Sequence, residues 1–399
     1  MVFRPERMRF GVFMPPHHHP VGISPSVAYE WDLHFLEKLD AWGYDEAWIG
    51  EHHSGGAEIY SDPALMIVAA AARTKRIMLG TGVVNLPLHH PFIVADQMTM
   101  LDHLTRGRAM LGVGSGALAA DFSMMGKPLD QKRRYSEEAL EAIVALLRNE
   151  EPVTMKTDWF ELNEARLQLP SFTRPHMTVA VAGASSVDGS SSAGRLGLRQ
   201  ITPANRSNPD AGRDAWKWYE DAAQKAGRVA NRADWTMMTF FHIAETREEA
   251  INDIRYGLKY LTTIGLVGGT VAELDDPNLP QYIAERGRAI IGTPDDAVEA
   301  IERLVQDSGG FGGIIGSMFG LANPEKTLRS YELMARYVMP HFQGVYDHVR
   351  ANREWTLDTG GGPGGSGRNT GVSANYAQPR PAINGANGAT EPAKPVTQG

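Results

Sequence analysis

The sequence predicts a parallel (β/α)8 barrel, and three observations predict it. Short apolar runs alternate with helix-patterned segments from the N-terminus onward, the signature of a parallel sheet wrapped by helices. The strand-like runs number about eight, the count at which such a sheet closes. Polar residues, histidines above all, gather directly after those runs, at the strand ends where barrels of this kind carry their chemistry.

Arg9 to Met14 (RFGVFM) reads as the first strand, stopped by Pro15 and Pro16. Pro25 to Trp42 has helical spacing, with Ser24 or Ser26 as candidate N-cap. Asp45 to Gly50 is the second strand and runs into Glu51, His52 and His53. Asp62 caps an apolar helix, and Arg76 to Val84 is the third strand. Pro91 to Leu104 is a helix that opens on a proline, whose φ suits that place. Arg108 to Val113 is the fourth strand, opening into Gly112, Gly114 and Gly116, and Tyr135 to Arg148 is helical. Glu151 to Pro170 breaks the alternation and reads as a β-rich insertion.

Met177 to Ala182 and Leu198 to Thr202 are strands five and six, followed by a helix from Asp210 to Lys225. A strand from Trp235 to Ala244 and a helix from Glu248 to Leu261 come next. Thr262 to Ile291 is Gly-rich and irregular, long enough for a lid or insertion. A helix from Pro294 to Gln306, a last strand from Gly312 to Ser317 and a helix ending near Pro340 complete the pattern. The barrel domain is expected over residues 1–350, with 351–399 as a Gly/Pro-rich tail. From Thr359 on, beginning with GGGPGGSG (Gly360 to Gly367), large apolar residues almost vanish. Such a composition predicts disorder, because burial cannot offset the ordering entropy.

With 399 residues, 42% of them hydrophobic, the chain can bury a sizeable core. A formal net charge of −8 without a dense basic tract argues against nucleic acid as partner. The absence of cysteine excludes disulfides, thiolate nucleophiles and cysteine-ligated metals. Neither a signal-peptide core nor a membrane span of about 18 apolar residues is visible, so a cytoplasmic protein is the expectation.

Two chemistries compete for the strand ends. His17, His18 and His19 follow strand one; Glu51, His52 and His53 follow strand two; Asn85, His89 and His90 follow strand three. His17 and His19 have a spacing used by metal-dependent hydrolases. The later strand ends offer Gly183, Ala184, Ser317 and Met318, which are poor ligands, so no metal is assigned. In the other reading, Gly112 to Gly116 (GVGSG) and Gly183 to Ser186 (GASS) present backbone N–H groups to a phosphate. Each is equally compatible with a plain tight turn, and the first fits neither a Walker motif nor a dinucleotide fingerprint.

GYDEAWIGEHHSGG (Gly43 to Gly56), LGTGVVNLPLHHP (Leu79 to Pro91) and LDHLTRGRAMLGVGSG (Leu101 to Gly116) together resemble the bacterial luciferase-like flavin-dependent monooxygenases. GTPDDAVEAIERL (Gly292 to Leu304) and LRSYELMARYVMPHF (Leu328 to Phe342) are similar to the same family, in the same order. The resemblance covers about Arg9 to Gly344. The opening RFGVFMPPHHHPVG and the EHHSGG segment look most like its limonene 1,2-monooxygenase branch.

The resemblance implies a luciferase-like (β/α)8 barrel that binds a reduced flavin. Oxygen attack at the flavin C4a would give a hydroperoxyflavin, which passes one oxygen atom to a small apolar substrate such as a monoterpene. It implies His52 as the catalytic residue near C4a, and Met14, Thr81, Asn85, Ser115, Gly116, Gly183, Ser185 and Ser186 as cofactor-binding. Phe13, Trp48, Met124, Met125 and Phe319, with Met14, are candidates for a dry lining. Luciferase's catalytic subunit carries an Arg where this chain has Ser115. The phosphate charge therefore falls to backbone dipoles or to another cation, Arg133 or Arg134, and both FMN and FAD stay open. No nicotinamide fingerprint is visible, so NAD(P)H is expected to act through a separate flavin reductase. The helix from Ala64 to Ala72 is apolar all round and Met98 to Leu104 adds large apolar residues, which predicts a homodimer. The alternatives are a deazaflavin-dependent dehydrogenase on the same fold, a metal-dependent hydrolase, and a non-catalytic flavin-binding partner subunit.

Overall fold

The computed structural model describes residues 2–15, 18, 24–56, 58–182, 186–204, 209–258, 278–285 and 289–358. The candidates His17, His19, Gly183 and Ser185 and the tail from 359 onward lie outside the described residues. Twelve strands are described: β1 (Arg9–Met14), β2 (Glu46–Ile49), β3 (Met78–Thr81), β4 (Val84–Asn85), β5 (Ala109–Gly114), β6 (Val153–Lys156), β7 (Glu161–Ala165), β8 (Thr178–Ala182), β9 (Arg199–Pro203), β10 (Trp235–Ile243), β11 (Ala289–Gly292) and β12 (Gly313–Ser317). Strands β1, β2, β3, β5, β8, β9, β10 and β12 pair in parallel in that order, and β12 pairs back to β1. The barrel is closed, as expected. The insertion forms the antiparallel hairpin β6–β7.

Local chemistry sets the helices that follow the strands. Gly43, in the left-handed region at φ 85°, closes helix Pro25–Trp42; Ser24 is its N-cap residue but makes no side-chain capping bond. The Asp62 carboxylate accepts from the Ala64 N–H to open helix Pro63–Arg73. A reciprocal Thr293–Asp296 capping box opens helix Pro294–Ser308. The inward faces of these helices bury against the strands: Phe35, Leu36, Leu39, Ile49 and Ile67 are fully buried in one core, each contributing about 1.5–3 kcal/mol.

Several boundaries differ from the sequence reading, among them the third strand, expected over Arg76 to Val84 and found as β3 and β4. The helix expected at Tyr135 begins at Lys132. Within the stretch expected to be irregular, Leu279–Glu285 is helical and Ala289–Gly292 is a strand, β11, paired to residues 240–243 of β10. A run of four residues carries too little pattern to be read alone; pairing with a long neighbour makes it a strand. The chain divides after Tyr346: the barrel belongs to the first unit, and helix Asp347–Asp358 to the second.

Trp48 fills the barrel interior and explains two mid-strand glycines. A Cβ on Gly80 would stand 2.6 Å from the Trp48 ring, and one on Gly112 would stand 2.1 Å from the Thr81 carbonyl oxygen. Below the ring, the Trp48 indole N–H donates to Glu46, which also accepts from Arg9 and Arg199 at 2.7 Å each. Burial works to raise the Glu46 pKa, but Arg199 and Arg9 outweigh it and hold the carboxyl below its ordinary value. The interior is therefore plugged at its N-terminal end and open toward the strand C-termini.

Candidate active site

At the C-terminal end of the strands lies a cavity of about 560 Å³. Alternation along the strands decides which side chains reach it. Phe13 of β1, Trp48 of β2, Ile201 of β9, Met238 of β10 and Ile315 of β12 form an apolar floor. His52, Glu58, Asn85, Ser115, Gly116 and Lys132 stand among its polar lining.

The segment after β2 is held by two carboxylates on opposite sides. His52 Nε2 faces Glu58 at 2.7 Å, and its Nδ1 faces Asp121 at 3.3 Å. Asp121, on the short helix Ala119–Met124, also accepts from the Ser54 hydroxyl and the His53 N–H. On the other side, buried Glu51 receives His53 Nε2 at 3.0 Å and His89 Nε2 at 2.8 Å on one oxygen, and the Asn85 N–H at 3.2 Å on the other. Burial alone would lower the His89 pKa; the Glu51 carboxylate raises it above the ordinary imidazole value. Glu51, His53 and His89 are close enough in kind and spacing to hold a metal ion, and both imidazoles point at one shared carboxylate oxygen.

Of the residues singled out in the sequence, His52, Asn85, Ser115 and Gly116 come together at this cavity. Asn85 is committed inward, its amide donating to the Glu51 carbonyl oxygen at 3.1 Å. Met14 does not line the cavity: it is fully buried in the core between barrel and helices, one residue out of phase with Phe13. Thr81 is fully buried too, and its hydroxyl both donates to the Gly112 carbonyl oxygen and accepts from the Gly112 N–H. Ser186 caps helix Val187–Leu196. Met124 and Met125 are exposed, and Phe319 packs on Phe13 from outside the cavity lining. His18, the described member of the first histidine cluster, bonds to Asp32 at 2.7 Å.

Among the described residues, the cation at the cavity is Lys132, not Arg133 or Arg134. Arg133 is exposed beside Asp188, and Arg134 is exposed and paired with Glu138 and Asp158. Lys132 Nζ instead donates to the Gly116 carbonyl oxygen at 3.1 Å. Because the helix starts at Lys132, its first residue, and not its second or third, faces the glycine turn; consecutive helical residues point about 100° apart.

The sequence pattern of the luciferase-like monooxygenase family matches residues 8–310. The chain belongs to that family. It is accordingly an oxidoreductase, a luciferase-like, flavin-dependent monooxygenase. It is 40% identical over 362 residues to 4-hydroxyprotoasukamycin monooxygenase of Streptomyces nodosus subsp. asukaensis, covering 88% of this chain and 97% of that protein. It is 41% identical over 343 residues to limonene 1,2-monooxygenase of Rhodococcus erythropolis, covering 85% and 87%. Among solved structures, the FMN complex of the oxygenating constituent of 3,6-diketocamphane monooxygenase from Pseudomonas putida superposes with a TM-score of 0.69 at 24% identity, covering 84% of this chain and 98% of that one. Among the described residues, no helix of this luciferase-like monooxygenase is long and apolar enough to cross a membrane.

Sequence reading missed Lys132, Glu58 and Asp121. Lys132 was within reach, since it stands directly before the two arginines that were considered. Asp121 offered no local signal: its partners lie 67 to 69 positions away along the chain.

Proposed function

We propose that this luciferase-like monooxygenase binds reduced FMN, delivered with electrons from NAD(P)H by a separate flavin reductase, and oxygenates a small apolar alkene of monoterpene type. The observation that carries the reading is one cavity joining an apolar floor, a buried-carboxylate-held imidazole and a lysine on a glycine turn. A flavin fits those residues. Its ring system suits a floor of Phe13, Trp48, Ile201, Met238 and Ile315. Its phosphate suits Lys132 beside the Gly114–Gly116 turn, where a Cβ on Gly116 would come within 2.8 Å of the Phe122 ring and the backbone is bare. Ser115 and Asn85 stand beside these groups, and Gly183, Ser185 and Ser186 remain candidates for the same phosphate.

Bound reduced flavin supplies the activation of O2. The chain's own part is to exclude water with the apolar floor and to move a proton at His52 Nε2, which stands at the cavity wall. The relatives that share about 40% identity are named for a monoterpene and for a larger natural product; the apolar floor favours the first kind of substrate. The test is incubation of the purified chain with enzymatically reduced FMN, ¹⁸O2 and a monoterpene panel. The expected product is an epoxide carrying one ¹⁸O atom. Hydrogen peroxide as sole product across the panel counts against the substrate class. Substrate oxidation with an oxidised deazaflavin as hydride acceptor, and no oxygen incorporation, moves the chain to dehydrogenase chemistry.

The same reading includes a homodimer. Leu65 is 70% exposed on helix Pro63–Arg73, and Ile93, Met100 and Leu104 are exposed on helix Pro91–Thr105. Helical faces this apolar are ordinarily covered, and a second copy of the chain supplies the matching surface. Light scattering at micromolar concentration should give twice the mass of one chain, and a Leu65→Glu, Met100→Glu variant should run as a monomer. A monomeric mass for the unaltered protein removes the dimer.

A further inference from the structure

We propose that Asp121 is the positioning residue of this site: it holds His52 as the Nδ1–H tautomer and so leaves His52 Nε2, at the cavity wall, as the nitrogen that exchanges a proton. This rests on the reading of His52 as the group that moves a proton.

Asp121 is 1% exposed, and among the described residues no lysine or arginine pairs with it. One of its oxygens accepts from the Ser54 hydroxyl and, at 3.3 Å, from the His53 N–H. The other faces His52 Nδ1. An ionised carboxylate can only accept, so the imidazole must present a hydrogen at Nδ1. That leaves Nε2 as the nitrogen whose state is free to change. It lies 2.7 Å from Glu58 Oε2, an ion-pair separation without the geometry of a hydrogen bond.

His52 and Glu58 both line the cavity, so the proton of Nε2 is exchanged where the reaction takes place. Asp121, in contrast, does not line it and acts only through His52. Among the described residues, the other charged groups that line the cavity are Glu51, occupied by His53 and His89, and Lys132 on the Gly116 carbonyl oxygen. A buried carboxylate that orients one imidazole nitrogen so the other can exchange a proton is the logic of the Ser-His-Asp triad. Here it serves proton exchange at the cavity and no nucleophile.

The direct test is ¹H–¹⁵N correlation spectroscopy of the full chain with labelled histidine, assigned with His52→Ala. The neutral His52 ring should carry its proton on Nδ1. A neutral ring protonated on Nε2 alone overturns the proposal, with no variant of Asp121 needed. In Asp121→Asn the carboxamide can donate to Nδ1, and the proton should move to Nε2. Product formed per flavin oxidised should fall about 10²-fold in that variant, the scale of lost acid–base assistance, with flavin affinity near wild type. Combined with His52→Ala, Asp121→Asn should add no further loss; a multiplied loss overturns the proposal, since Asp121 would then act independently. If His52→Ala by itself leaves coupling intact, the underlying proton-transfer reading fails, whatever the tautomer.

Discussion

Replacing His52 by alanine is expected to lower coupled oxygenation by about 10²-fold or more, the scale at which a positioned acid–base group acts, while the protein still folds and binds flavin. Among the described residues the side chain hydrogen-bonds to Asp121 and faces Glu58, and it belongs to no apolar core cluster. Its removal should therefore leave the barrel standing. Oxygen consumption should continue, with hydrogen peroxide released in place of product, because activated oxygen decays when its protonation is not managed. His53→Ala is the internal control: its ring is turned to Glu51 and does not line the cavity. Product, peroxide and oxygen uptake measured in one reaction separate the outcomes. If His53→Ala loses coupling and His52→Ala keeps it, the role belongs to the Glu51 hub.

Lys132→Met should weaken FMN binding by about 10- to 10²-fold, the range expected when a charge-assisted hydrogen bond of roughly 1.5–3 kcal/mol is lost. Riboflavin, which lacks the phosphate, should bind the variant and the wild type alike. The comparison isolates the phosphate from the ring, and quenching of flavin fluorescence reads both affinities without turnover. Arg133→Met and Arg134→Met should change neither, since both side chains are exposed and paired away from the cavity. Equal losses for FMN and riboflavin would mean that Lys132 supports the shape of the Gly114–Gly116 turn and does not meet the phosphate. An effect confined to FAD would select the larger cofactor.

The barrel was legible because its information is local. Each strand is a short apolar run, each helix has a cap or a proline at a definite place, and β1, β2, β5, β8, β9, β10 and β12 stand close to their expected limits. The strand-end clusters were legible for the same reason: in a parallel barrel the residue after a strand is at the mouth, so Glu51, His52, Asn85, Ser115 and Gly116 could be read from position alone. Trp48 with Gly80 and Gly112 could also have been read, since glycine inside a strand marks a close approach.

Side-chain direction and long-range pairing were not legible. Met14 and Phe13 are neighbours of similar apolar character, and only the register of β1 against β2 and β12 sends one to the core and the other to the cavity. Lys132, Arg133 and Arg134 carry equal charge, and three residues of helix start decide which meets the glycine turn. The sequence by itself determined the order and kind of elements, the closed parallel barrel and the place of the histidine-bearing mouth, because these follow from periodicity, caps and chain connectivity. Only the tertiary structure decided that His52 stands between Glu58 and Asp121, that Glu51 gathers His53 and His89, and that β11 pairs with β10. The contacts of His52 with Asp121, of Glu51 with His89 and of β11 with β10 join segments far apart along the chain, and their geometry exists only once the barrel has closed and brought the strand ends onto one face.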